Sequence, residues 1–279
     1  MPIPRRPLLL SLLLAVAVTA PALVLAPRDA YAAPAAGLCV PTPVAHRGDS
    51  WHAPENTMPA YHRALRQHVW RLETDVRFTA DGVPVLMHDP TVDRTTNGTG
   101  QVAALTFADV RALDAGSWFS RDFTGVRVPT LQQLLEYGRY RNAYFLLELK
   151  VRPTPEQLQA FLALLRSSRM LGRVQVTSFN PRTLLDVRAA QRGLRTGLID
   201  NPRPRATRAV LRYGRTYIVH HYSVTESRAE RWKRAGIDVR PWTIDSWREW
   251  RRMAWDRTGP VITNRPGDYL RWARVFCSR

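Results

Sequence analysis

The stretch Phe145-Leu146-Leu147-Glu148-Leu149-Lys150, followed by Thr154-Pro155-Glu156-Gln157 and then by Leu158, Phe161, Leu162 and Leu165, decides the fold. The first six residues read as a buried strand. Thr154 is a helix N-cap, Pro155 takes the first helical position and Gln157 completes a capping box. The four apolar residues that follow fall at helical spacing and give the helix one apolar face. The same unit then recurs. Val174 to Phe179 is a strand, and Asn180-Pro181 opens a helix that Gly193 closes. Thr196 to Ile199, Tyr217 to His221, Val239 to Ile244 and Val261 to Thr263 repeat the strand pattern, with helices near 204–213, 225–235, 247–256 and 267–275. Upstream, Val44 to His46 and Leu72 to Val76 flank a helix near 57–68, with Met58, Tyr61 and Leu65 on one side. Alternating β/α units in this number predict a parallel (β/α)8 TIM barrel whose active site lies where the strand C-termini feed into loops.

One strand candidate, Val83 to His88, is in excess. It follows Leu72 to Phe78 across the turn dipeptide Asp81-Gly82 and is read as the returning arm of an extended second strand. With a two-residue turn at that dipeptide, Asp75 pairs with His88, which puts Glu73, Asp75 and His88 on one surface. Residues 89 to about 129 then form a small insertion subdomain, with a helix capped by Thr106-x-x-Asp109, before a helix that starts near Thr130.

Outside the barrel, Arg5 and Arg6 precede an apolar run from Leu8 to Ala26 and the small-residue stretch Ala30-Tyr31-Ala32. That order is a secretory signal peptide, residues 1–32, cleaved after Ala32, with a retained anchor as the alternative; the expected location is extracellular. What remains, a single domain over 40–279, is close to the roughly 250 residues of a β/α barrel. The formal charge of +18 attracts anions, yet no block of like charge marks a dedicated nucleic-acid arm. Partners are therefore expected to be phosphate-bearing small molecules, anionic cell-wall polymers or a lipid surface, and no specific nucleic acid. Only Lys150 and Lys233 are lysines among the 41 basic residues, so a lysine here stands against a strong bias to arginine. Cys39 and Cys277 sit near the two ends of the mature chain, and an exported barrel that brings its termini together should bridge them.

The chemistry-bearing residues converge on the predicted barrel mouth. Glu73 and Asp75, two apart on a strand, share a face, as do Glu148 and Lys150. His46 ends the first strand, with Arg47 and Gly48 after it, and Glu55 precedes the first helix. Carboxylates from Glu55, Glu73, Asp75 and Glu148 are an oxygen-rich set that suits a hard divalent ion, Ca²⁺ or Mg²⁺, better than zinc. Arg47 and Lys150 would hold a phosphate, and His46 and His88 would be general acid and general base on either side of it. Trp242 could stack on the substrate, while Trp51, Trp118 and Phe119 lie in loops that would cover the pocket or face lipid. His221 could also line the pocket, though a structural role is the simpler reading.

Taken together, His46-Arg47-Gly48, Pro54-Glu55-Asn56-Thr57, Glu73-x-Asp75, Asp81-Gly82 to His88-Asp89, Arg94-Thr95-Thr96, Glu148-Leu149-Lys150, Trp242-Thr243 and Ile262-Thr263-Asn264-Arg265-Pro266 resemble the glycerophosphodiester phosphodiesterase family over essentially the whole mature chain. The resemblance implies a distorted barrel with the insertion capping the site. It implies metal ligation by Glu55, Glu73, Asp75 and Glu148 in some combination, acid-base work by His46 and His88, and phosphate binding by Arg47 and Lys150. Secreted bacterial members typically use calcium, which makes Ca²⁺ the expected cofactor and Mg²⁺ the alternative. The implied reaction is hydrolysis of glycerophosphodiesters such as glycerophosphocholine to glycerol 3-phosphate and an alcohol. Rival readings are a phospholipase C or D-like enzyme on intact lipids, a hydrolase of glycerol-phosphate teichoic acids, and a non-enzymatic cationic protein that binds anionic wall. Asn264 departs from the family's usual Asp, and its position outside the acid cluster gives it little expected weight.

Overall fold

The computed structural model describes residues 39–200, 207–256 and 258–278. The signal-peptide reading, residues 1–32, lies outside them. Eight parallel strands form the barrel wall: β1 (Val44–Ala45), β2 (Arg71–Phe78), β4 (Tyr144–Leu149), β5 (Val174–Ser178), β6 (Arg195–Asp200), β7 (Thr216–His220), β8 (Asp238–Trp242) and β9 (Ile262–Thr263). The ninth, β3 (Pro84–Leu86), pairs antiparallel with β2 alone. The strands run β8-β7-β6-β5-β4-β2-β1-β9. Between β8 and β9 the ladder gives way to two flanking bonds, Ile244 N–H to Ile262 O at 3.0 Å and Gly259 N–H to Val239 O at 2.9 Å. The (β/α)8 TIM barrel is thus nearly closed, with its irregularity at that seam.

Helices α1 (Met58–Arg66), α3 (Leu131–Arg139), α4 (Pro155–Ser167), α5 (Pro181–Ala190), α6 (Thr207–Leu211), α7 (Glu226–Arg234), α8 (Trp247–Trp255) and α9 (Pro266–Cys277) surround the sheet. Local chemistry sets their starts. Thr154 and Gln157 form the capping box of α4, and Thr130 and Gln133 form that of α3. The helix expected near 204–213 is the short α6, and the part before Thr207 falls outside the described residues. Among the described residues no helix is long and apolar enough to cross a membrane.

Two apolar layers result from strand alternation. Leu72, Val76, Phe145, Leu147, Leu149, Val176, Leu198 and Tyr217 face outwards and pack under the helices with Leu134, Phe161 and Leu165. Val44, Leu146, Ile199, Ile218 and Ile262, one from each of five strands, fill the barrel's interior. Between β3 and α3 the helix α2 (Phe107–Ala112), capped by Thr106 and Asp109, packs a separate small cluster of Val85, Met87, Val92, Val102, Val110 and Val128.

The hairpin differs from expectation by one residue. Val76 pairs with Leu86, Arg77 with Val85 and Phe78 with Pro84, so Asp75 faces Met87, whose N–H donates to Asp75 O at 3.1 Å. His88 is not the cross-strand partner of Asp75. The cause is the turn: Thr79 N–H donates to Val83 O, which leaves three residues in the loop, and Gly82 takes the left-handed conformation at φ +80°. One residue of turn length moves every pairing by one.

Both ends of the described chain are fastened beneath the barrel. Cys39 and Cys277 form a disulfide with Cα atoms 5.4 Å apart, 238 residues apart in sequence, and Tyr269 donates its hydroxyl to Pro41 O at 2.8 Å. Closing so long a loop constrains the unfolded chain. Cys39→Ser/Cys277→Ser protein is expected to lose about 2–5 kcal/mol of unfolding free energy, measured by urea titration against the parent; an unchanged midpoint would show that the bridge adds nothing.

Candidate active site

The motif His46-Arg47-Gly48 turns the chain sharply after β1. Arg47 has φ +55° and Gly48 φ +87°. A Cβ on Gly48 would stand 2.6 Å from Ala60 Cβ, so only glycine lets α1 come this close. The turn aims Arg47 inwards, where its backbone N–H donates to Glu73 Oε2 at 2.9 Å. Its guanidinium reaches Glu55 Oε1 at 2.8 Å and Asp75 Oδ2 at 3.1 Å. Asn56, also at positive φ, is buried and works as a staple. Its amide donates to Asp75 Oδ2 at 2.8 Å, and its carbonyl accepts from the Tyr61 hydroxyl at 3.0 Å and from Asp75 N–H at 3.3 Å.

Parallel register places Asp75 beside Glu148. Glu73, Asp75 and Glu148 are all buried and offer carboxylate oxygens within 4.8 Å of one another. Burial, then the charges of Asp75 and Glu148, push the Glu73 carboxyl well above its ordinary range. Burial and the Asp75 charge push Glu148 up to about 7. Asp75 goes the other way: burial opposes ionisation, but Arg47, Lys150 and His88 outweigh it. Lys150 stands 2.7 Å from Glu148 Oε1 and 3.6 Å from Asp75 Oδ1. This all-oxygen, electron-rich set fits a divalent cation, which would offset both the burial and the mutual repulsion that raise Glu73 and Glu148. The fourth expected carboxylate, Glu55, is instead held by Arg47 and by both terminal nitrogens of Arg94, at 2.9 and 2.8 Å.

The two histidines have different partners. His46 Nδ1 lies 2.6 Å from Asn264 Oδ1. Asp245 accepts from the Asn264 amide nitrogen at 2.7 Å and from its backbone N–H at 2.8 Å, so the Asn264 oxygen must be the atom that faces His46. An amide oxygen can only accept, hence Nδ1 carries the proton and Nε2, 4.0 Å from Glu73 Oε2, keeps its lone pair. Burial, then the Arg47 charge, lowers the His46 pKa to about 4. His88 Nδ1 is 2.6 Å from Asp89 Oδ1, a carboxylate that Arg94 holds at 2.6 Å. Its main-chain oxygen accepts from Arg77 at 2.7 Å. A bend after β3, fixed by these contacts, brings His88 within electrostatic reach of Asp75 despite the shifted register. Its pKa is also lowered by burial, with Asp75 and Asp89 pulling upwards.

Trp242 ends the seventh barrel strand, edge-on to Phe179 at 5.9 Å, and Lys150 Nζ lies 5.7 Å from the Phe179 ring centre. His221 is buried with Nε2 2.8 Å from Glu249, which ties β7 to α8 and gives it a structural role. Sequence reasoning passed over Asn264, Asn56 and Arg94 as site residues, although all three stood in quoted motifs; their polar type at the ends of barrel elements was the signal. Asn264→Ala should release the His46 ring and lower kcat about ten- to a hundredfold at an unchanged melting temperature; kcat within twofold of the parent would show that Asn264 does not position His46.

Residues 46–268 match the glycerophosphoryl diester phosphodiesterase family. The chain is 32% identical over 240 residues to a glycerophosphodiester phosphodiesterase of Caldanaerobacter subterraneus, covering 83% of this chain and 97% of that one. It is 32% identical over 246 residues to one from Bacillus subtilis, covering 80% and 83%. Among solved structures it resembles an Oleispira antarctica phosphodiesterase in complex with the product sn-glycerol-3-phosphate, with a TM-score of 0.77, 26% identity and coverage of 84% and 96%. With the barrel and its buried acidic mouth, these matches show that the chain belongs to the glycerophosphoryl diester phosphodiesterase family.

Proposed function

We propose that this enzyme is a secreted, metal-dependent hydrolase that cleaves small glycerophosphodiesters such as glycerophosphocholine to glycerol 3-phosphate and an alcohol. The observation that carries the reading is the buried Glu73, Asp75 and Glu148 cluster flanked by two histidines with unlike partners. The complex of the Oleispira relative with sn-glycerol-3-phosphate supports the product. The disulfide and the basic-apolar N-terminal segment support an oxidising, extracellular setting.

Glu73, Asp75 and Glu148 would hold the cation, and the all-oxygen set favours Ca²⁺, with Mg²⁺ as the alternative. When bound, the ion supplies charge to the phosphoryl oxygens and lowers the pKa of the attacking hydroxyl. Arg47 and Lys150 orient the phosphate and offset charge that develops on its oxygens. His46, neutral and with Nε2 unprotonated, takes the proton from the nucleophile, which is either water or the adjacent glycerol hydroxyl; the latter has a high effective molarity and leaves a cyclic phosphate that water then opens to glycerol 3-phosphate. His88, as the imidazolium that Asp75 and Asp89 favour against burial, gives its Nε2 proton to the leaving alkoxide and is reprotonated from solvent before the next turnover. Trp242 and Phe179 form a ring wall against which an alcohol or choline group can rest.

Glycerol 3-phosphate release from glycerophosphocholine is expected in a coupled assay, lost on chelation and restored by Ca²⁺ more than by Mg²⁺. No product with any metal would sink the proposal, and faster turnover of intact phospholipid would move it to the lipase reading. His46→Ala and His88→Ala should each lower kcat by about 10²–10⁴. Because His46 is depressed to about 4, the base stays unprotonated well below neutrality, and with saturating Ca²⁺ to keep Glu73 and Glu148 ionised the acid limb of kcat/KM should fall below about pH 5; under that condition a limb near the ordinary histidine value would reject His46 as the base.

A further inference from the structure

Lys150 belongs to the catalytic mouth. The chain's other lysine, Lys233, lies at the opposite pole of the barrel, on the rim of a cavity of about 1080 Å³. This cavity opens where β6, β7 and β8 begin, at Arg195, Thr216 and Asp238, whereas Glu148 and Trp242 stand at or near strand C-termini. An occupant there would not touch the groups of the active site.

Arg188, Arg192, Arg195, Arg215, Lys233 and Arg240 line the cavity. Asp238 is the one carboxylate among the lining residues, and it already accepts from Arg240 Nε at 2.9 Å. Among the described residues no carboxylate comes within 4.0 Å of Arg188, Arg192, Arg215 or Lys233. Four exposed cations thus share one concave surface, and among the described residues none of the four is in an ion pair. Gly236 takes the left-handed conformation at φ +69°, and the Arg215 guanidinium lies across the turn it makes.

Convergent cations in a concave, low-dielectric wall focus a positive field and concentrate anions. Guanidinium forks match phosphate oxygens in pairs, and several of them at once favour a ligand with several charges over a single phosphate. No aromatic side chain lines the cavity, so it offers no stacking platform for nucleobases. We propose that this cavity is a second anion-binding site, separate from the catalytic mouth, that takes a polyvalent phosphate such as a condensed phosphate chain, with Arg192, Arg215 and Lys233 as its principal contacts.

The test is calorimetric titration of the full chain with sodium tripolyphosphate in 0.1 M salt. Saturable binding is expected in the parent and in Lys150→Met protein, at least tenfold tighter than orthophosphate and weakened by added salt. Arg192→Ser/Arg215→Ser/Lys233→Ser should weaken it at least tenfold while leaving the melting temperature and the turnover of glycerophosphocholine unchanged. Lys233→Glu, a single exposed change, should weaken it in the same direction. The proposal is overturned by no saturable binding in the parent, by loss in Lys150→Met protein instead, by orthophosphate binding equally well, or by triple-variant affinity within twofold of the parent. A single-stranded oligonucleotide that binds more tightly than tripolyphosphate would equally overturn it.

Discussion

Three carboxylates buried within 4.8 Å of one another, Glu73, Asp75 and Glu148, must be compensated by positive charge, and most of the architecture around the barrel mouth answers that need. At an effective dielectric near 20, one like-charge pair at such a separation costs roughly 3–4 kcal/mol. Arg47 and Lys150 offset part of this, which keeps Asp75 ionised while Glu73 and Glu148 remain hard to ionise. The left-handed backbone at Arg47, the glycine behind it and the Asn56 staple all serve to bring compensating groups into a crowded space. A divalent cation would complete the compensation, and the same positive charge is what a phosphodiester requires as its bond breaks.

Around this cluster the two histidines are made unlike by what stands behind them. His46 leans on an amide that is itself fixed by Asp245; His88 leans on a carboxylate that is itself held by Arg94. A neutral partner gives no support to an imidazolium, whereas an anionic partner opposes the burial that lowers the His88 pKa. The proposed division of labour between base and acid rests on these outer contacts, since the ring chemistry of the two residues is the same. Arg94 links the two halves of this arrangement, because it grips Asp89 and Glu55 together, and Glu55 in turn holds Arg47.

Much of the fold was legible because each β/α unit carries its own local signals. Thr154 with Gln157 and Asn180-Pro181 mark helix starts wherever they occur, and a run such as Phe145 to Leu149 is buried in any tertiary setting. The hairpin was legible in kind but not in register: Asp81-Gly82 marks a turn, yet whether that turn holds two or three residues depends on Thr79 pairing with Val83. In the site, Glu73 and Asp75 could be put on one face because strand alternation is local. The role of Glu55 could not be read, since it depends on Arg94, 39 residues away. Asn264, which looked remote from the chemistry, stands against His46 across 218 residues of sequence.

The sequence by itself determined the alternation of strands and helices, the residue types able to hold a cation and a phosphate, and the two cysteines available for a bridge. These rest on spacing, capping and side-chain chemistry, which act within a few residues. Only the tertiary structure decided which carboxylates share the buried cluster, which histidine has the neutral partner, and where the second lysine lies. Those outcomes are distances between segments that meet only when the barrel closes, and electrostatic and hydrogen-bond energies change steeply over the fraction of an ångström to a few ångströms that such closure sets.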